Sequence, residues 1–180
     1  MSERLVSPQE DERAFRIYLC GSYRDVLGDA REARQVLERL QESLRQNGFD
    51  AYTQRHPRAS ELAPGLSPAQ TTRRLEELSD LVAYVGVPFG REGGWSSELS
   101  DAQARYPEGA RKRVVLIRDD FPLSQVLSNE HEGHLSDPFV SVIAWSNEEE
   151  LARVIGRLAV HLAEFGSLPE ATKRKGRLRL

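Results

Sequence analysis

The chain has 180 residues, 39% of them hydrophobic and 29% charged, the size and make-up of one domain able to bury a core rather than of a disordered, collagen-like or disulfide-stapled polypeptide. Its formal charge is −3, but five of its 25 basic residues (Lys173, Arg174, Lys175, Arg177 and Arg179) fall in the last ten positions, leaving 20 basic against 28 acidic residues in the body. The acidic body argues against a nucleic-acid partner and the single cysteine excludes an internal disulfide; without a long apolar run or an apolar leader in residues 1–13, the expectation is a cytoplasmic protein with no membrane partner.

Residues 15–20 (FRIYLC) form a β-rich run that stops at Gly21-Ser22, which predicts a strand entering a turn. Between 29 and 47, Ala33, Val36, Leu37, Leu40 and Leu44 recur at three- and four-residue spacing and Asn47-Gly48 supplies a left-handed stop, so an amphipathic helix is expected. A short second strand follows at 49–53, and 54–68, with Pro57, Pro64, Pro68 and Gly65, reads as a loop. Ser67-Pro68 has the form of an N-cap followed by proline at the first helical position, opening a helix through Leu75 and Leu78. The nearly all-apolar run 81–87 (LVAYVGV) suits a strand covered on both faces of a parallel sheet.

A glycine-rich loop at 88–94 (PFGREGG) leads to Ser96, the expected cap of a helix that carries Leu99, Ala102 and Tyr106. Further strands are expected at 113–117 (RVVLI) and 139–145 (FVSVIAW), with an irregular stretch over 119–138 between them. Ser146-Asn147 and three glutamates then start a helix whose apolar stripe is Leu151, Val154, Ile155, Leu158 and Leu162, closing near Gly166.

Strands alternating with helices at this spacing predict an α/β fold of the flavodoxin-like type: a doubly wound, mostly parallel five-stranded sheet of order 2-1-3-4-5 with helices on both faces. One domain over 14–166 lies between a polar segment, 1–13, and a basic tail, 167–180. Ligands of such sheets bind outside the carboxyl ends of the strands where the strand order reverses, which selects the loops after the first and third strands, 21–28 and 88–94.

The first loop, Gly21-Ser22-Tyr23-Arg24-Asp25, offers a backbone that a ligand can approach, a hydroxyl, and a guanidinium suited to phosphate or carboxylate; it also suits an ordinary strand-to-helix turn. Neither a Walker A nor a GxGxxG pattern is present, so P-loop hydrolysis is not indicated. The second loop runs into Gly93-Gly94-Trp95-Ser96-Ser97-Glu98-Leu99, which puts Glu98 in the first turn of a helix. A carboxylate held ionised there by the helix dipole suits a nucleophile, or simply stabilises the helix. Glu92 is a second carboxylate near the site or a loop charge, and Ser96 and Ser97 either bind an anion or cap the helix.

The stretch Tyr18-Leu19-Cys20-Gly21-Ser22-Tyr23-Arg24, together with GGWSSELSDA over 93–102, resembles the nucleoside 2-deoxyribosyltransferase family, and most closely the branch that hydrolyses the N-glycosidic bond of 2′-deoxynucleoside 5′-monophosphates. The similarity covers the layout from about 15 to 117. It implies Glu98 as the nucleophile at the anomeric carbon, Tyr18 near the sugar, and Gly21, Ser22 and Arg24 around a 5′-phosphate or the ligand's polar end. Glu92, Gly94, Ser96 and Ser97 complete the expected substrate-binding set. The implied ligand is a small-molecule nucleoside or nucleotide, with no cofactor or metal, and the family commonly forms homodimers. The sequence departs from the pattern in three places: the family's second acid falls about where Thr72 stands, with no aspartate between 51 and 79, Ser100 replaces the glycine after Glu-Leu, and the loop before the helix carries Arg91, which bears on the sugar or phosphate that fits. Asp80 opens the third strand and is expected at the wrong end of the sheet to serve as that acid.

A weaker resemblance is to TIR domains, some of which cleave NAD with a glutamate on the helix after the third strand; here Trp95 precedes Glu98 by three positions rather than their four. The missing aspartate keeps a non-catalytic nucleotide-sensing module as an alternative. His131-Glu132-Gly133-His134 lacks zinc-protease spacing and reads as a solvated loop, and Cys20, inside an apolar strand, reads as packing. Tyr52, Tyr84 and Trp145 read as core or sheet-edge residues.

Overall fold

The computed structural model describes residues 13–21, 30–86, 93–106, 112–118, 141–168 and 178–179. They form β1 (Arg16–Gly21), α1 (Ala30–Gln46), β2 (Asp50–Thr53), α2 (Pro57–Leu62), α3 (Pro68–Leu78), β3 (Leu81–Gly86), α4 (Gly93–Arg105), β4 (Arg113–Arg118), β5 (Ser141–Trp145), α5 (Glu148–Phe165) and β6 (Leu178–Arg179). The strands make one parallel sheet of order β2-β1-β3-β4-β5-β6.

The period of two along the strands divides the core. Ile17 and Leu19 of β1, Leu81, Ala83 and Val85 of β3, and Val114 and Leu116 of β4 bury themselves with Val36, Leu37, Leu40 and Leu44 of α1 and Leu151, Ile155 and Leu158 of α5. The alternate residues, Tyr18 and Cys20, Val82 and Tyr84, Val115 and Ile117, face the other way, onto Leu75 of α3 and Trp95 and Leu99 of α4. Helices therefore cover both faces, as the apolar runs of β3 and β4 require. Arg39 of α1 makes a two-pronged contact with Glu148 of α5 at 2.8 and 2.9 Å, tying the two helices together.

Three elements depart from the expectations. The presumed loop after β2 contains α2, because Pro57 fits the first helical position and the ring Nδ1 of His56 accepts the Arg58 amide. Helix α4 starts at Gly93 rather than after a cap at Ser96, so Glu98 is the sixth residue of the helix and not in its first turn. A sixth strand, β6, pairs its two residues with Ile143 and Ala144 inside the segment read as a tail. The 119–138 stretch and the start of the expected fifth strand lie outside the described residues. Among the described residues no helix is long and apolar enough to cross a membrane.

The strand register brings the carboxyl ends of β1 and β3 together. Gly21, the last residue of β1, pairs with Val85, one residue before the end of β3, so the chain leaves both strands side by side. A Cβ on Gly21 would stand 2.5 Å from Leu37 Cδ1 and 3.2 Å from Leu37 Cγ, so glycine is required there for α1 to lie on the sheet, whatever the loop binds.

Candidate active site

Glu98 is brought to the sheet by the 95, 99, 102 spacing of Trp95, Leu99 and Ala102, all buried on the inner face of α4. The indole of Trp95 lies against Gly86 at the end of β3, where a Cβ would come within 3.4 Å of the ring. That anchor fixes the turn from which Glu98 points toward β1 and α3. Its carboxyl meets the thiol of Cys20 from β1 and the hydroxyl of Thr72 from α3, both of which donate toward it. Its Oε2 is buried and has no hydrogen-bond partner among the described residues.

Burial, with added repulsion from the carboxylate of Glu76, pushes Glu98 up from 4.5 to about 7, and the two neutral donors offset part of that rise. The expectation of a carboxylate held ionised at the helix terminus is therefore corrected. With the helix beginning at Gly93, Glu98 lies beyond the first turn, where the helix dipole fades, and desolvation dominates. The result is a carboxyl that gains or loses its proton near neutral pH.

Glu76 is the residue that sequence reasoning missed. It lies one helical turn after Thr72 on α3 and is 3% exposed. Tyr84 of β3 donates its hydroxyl to Glu76 Oε1 at 2.9 Å, and Arg105 of α4 stands 3.6 Å from Oε2. Burial raises the Glu76 pKa, while Tyr84, Arg113 and Arg105 pull it back. A signal existed in the sequence: Thr72, Leu75 and Glu76 share one face of α3 at three- and four-residue spacing, so a glutamate on that face is committed to the interior.

Tyr18 is fully buried on β1, stacked on Tyr52 at 6.0 Å between ring centroids, and its hydroxyl meets the Cys20 thiol. Cys20 thus bridges Tyr18 and Glu98, and burial beside Glu98 and Glu76 pushes its thiol well above the ordinary range. A thiol so held is no nucleophile at neutral pH, in keeping with a packing role for Cys20. Tyr52 shares a 2.8 Å hydrogen bond with Ser79. Asp80 lies at the amino-terminal edge of the sheet, paired with Arg13 at 2.7 Å and accepting the Arg16 amide at 2.8 Å, far from Glu98 in register.

Of the sequence-selected set, the structure brings Tyr18 and Glu98 into one cluster through Cys20 and puts Gly21 at the adjoining strand end. Ser97 is an exposed residue of α4, and the backbones of Gly94 and Ser96 belong to the same helix. Ser22, Arg24 and Glu92, with the His131 to His134 cluster, lie outside the described residues.

No family model and no curated protein matches this sequence. Among solved structures the chain is similar to the CMP N-glycosidase BcmB of Clostridium botulinum, with a TM-score of 0.48 and 16% sequence identity over 79% of this chain and 98% of that one.

Proposed function

We propose that this protein cleaves or transfers the N-glycosidic bond of a nucleoside or nucleotide on a flavodoxin-like scaffold, with Glu98 as the nucleophile. The observation that carries the reading is the Glu98 carboxyl itself: placed by α4 beside the carboxyl end of β1, poised near pH 7, and holding a buried oxygen that has no hydrogen-bond partner among the described residues. Unsatisfied buried polar atoms are rare in folded proteins, and strongly perturbed titratable groups concentrate at functional sites. A substrate sugar gives that oxygen something to meet.

In the proposed reaction an ionised Glu98 oxygen bonds to the anomeric carbon as the carbon–nitrogen bond breaks, and the bonding pair leaves with the base, which takes up a proton. Water, or a second base, then attacks the same carbon and releases Glu98. Cys20 and Thr72 orient the carboxylate, and Tyr18 lines the wall nearest the sugar. Thr72 stands where the resembled family carries its acid and has no proton to give at neutral pH. Glu76, one turn on, is enclosed and bonded to Tyr84, so it is too deep to reach a leaving base. The base would therefore take its proton from solvent.

That same threonine favours a second reading, a nucleotide-binding module that no longer turns over. Incubation with deoxynucleosides, deoxynucleoside monophosphates and NAD separately, with chromatography for free base or nicotinamide, divides the two. Release from one class that disappears in Glu98→Gln is the expected result. Ligand-induced thermal stabilisation without release from any class would replace the enzyme by the sensor.

A further inference from the structure

At the opposite end of the sheet, the amino-terminal edge of β1 and β2 borders a second polar cavity of about 470 Å³. Four guanidinium groups line it, from four separate pieces of chain: Arg13 ahead of β1, Arg16 at its first position, Arg45 in the last turn of α1, and Arg58 in α2. Arg16 is four residues before Cys20, or about 13 Å along the strand, so this is not the cluster around Glu98.

One carboxylate, Asp50, faces three of these cations. Arg58 Nε reaches its Oδ2 at 3.2 Å, whereas Arg45 Nη1, which donates to the Ala51 carbonyl at 3.2 Å, stands 3.5 Å from Oδ1 and Arg16 Nε 3.7 Å from Oδ2. Arg16 Nε is buried with no hydrogen-bond partner among the described residues. The other acids nearby are committed elsewhere: Glu61 takes Arg58 Nη1 at 2.8 Å, and Asp80 takes Arg13 and the Arg16 amide. The carbonyls ending α1, which would repel an anion, are occupied, since the Gly48 amide donates to Arg45 O and the Phe49 amide to Leu44 O.

We propose that this cavity binds a small, multiply charged phosphate oxyanion, a phosphate monoester or a diphosphate, between Arg16, Arg45 and Arg58. Each guanidinium presents five N–H donors in a planar fork that fits phosphate oxygens, and Asp50 engages few of them. The anion supplies the acceptor that Arg16 Nε lacks among the described residues and balances the one positive charge by which Arg16, Arg45 and Arg58 exceed Asp50 and Glu61.

The test is calorimetric titration with inorganic pyrophosphate, with a deoxynucleoside monophosphate, and with sulfate at matched ionic strength. It uses the full chain, the double variant Arg45→Gln/Arg58→Gln, and Arg24→Gln, which alters the other anion-friendly loop. Saturable binding of pyrophosphate at least tenfold tighter than sulfate is expected, weakened at least tenfold in the double variant and retained in Arg24→Gln; for the monoester, the part of the binding that the double variant loses belongs to this cavity. Whichever of the two phosphates binds names the source. Equal responses to all three anions, or binding lost in Arg24→Gln and kept in the double variant, would overturn the site. Should the double variant not fold, Arg45→Lys/Arg58→Lys keeps the charge but not the forks, and unchanged affinity there is equally fatal.

Discussion

Replacing Glu98 by glutamine removes the titrating proton and keeps the shape, so its effect on stability should depend on pH in a calculable way. A glutamate whose pKa is about 7 in the folded chain and 4.5 otherwise binds more protons when folded between those values. Stability therefore falls as pH rises from 4.5 to 7, and the accumulated loss above pH 7 is about 3 kcal/mol. Below pH 4.5 both states hold the proton and the group contributes nothing of this kind. The glutamine variant escapes the loss, because its amide oxygen still accepts from Cys20 and Thr72 without carrying charge. Urea unfolding at pH 5 and pH 8 should show wild type and variant close together at the lower pH and the variant up to about 3 kcal/mol more stable at the higher, or about 6–12 °C in Tm for a chain of this length. Glu76 titrates in both proteins and largely cancels in the difference. A variant-minus-wild-type difference that is the same at both pH values would refute the burial of Glu98 as the source of its high pKa.

If Glu98 acts as the ionised nucleophile, kcat/KM on the substrate that responds should rise through about pH 7, tenfold per pH unit on the acid side; a flat profile from pH 5 to 8 would remove Glu98 from that role. Glu76→Gln takes away the second cause of the Glu98 shift, so the midpoint of that limb should move to lower pH, while an unmoved midpoint would show the two carboxyls to be electrically separate. Gly21→Ala drives a methyl group against Leu37, which is 1% exposed and has no room to yield, and should lower stability by about 1–3 kcal/mol in urea titrations. The loss from Leu37→Ala should then be smaller in the Gly21→Ala background than alone, and strict additivity would place the strain elsewhere.

Much of the layout was legible because it rests on periodicity. The β-rich run of β1 announces a strand, the nearly all-apolar run of β3 a strand covered on both sides, and the three-four spacing of α1 and α5 announces the helices that cover one side. Helix α2 was hidden because proline reads equally as a turn residue and as a first helical residue, and only the His56 ring accepting the Arg58 amide decides between them. The start of α4 was misplaced because two glycines hide a helix from propensity, although Trp95 packing on Gly86 holds it. The environment of Glu98 depended on that start. A shift of four residues took the carboxyl from the helix terminus, where charge is favoured, to a desolvated layer, where it is not. Strand β6, two residues long, offers too little pattern to be seen in a basic segment.

The buried layer between the sheet and helices α3 and α4 holds two carboxyls, and their surroundings differ. Glu76 has Arg105 and Arg113 to favour its charge, whereas Glu98, among the described residues, has the neutral hydroxyl and thiol of Thr72 and Cys20. Where two such groups sit close, charge on one disfavours charge on the other, and the cations beside Glu76 offset for it the burial that both groups share. A place that attracts a proton attracts any positive charge that can occupy it. In the proposed reaction the sugar carbon becomes cationic as the base departs, and it does so beside the oxygen that the protein leaves unengaged. The desolvation that raises the Glu98 pKa is thus also what would stabilise that cation. The site gives up stability above pH 7 in the resting protein and recovers it only when positive charge develops against Glu98.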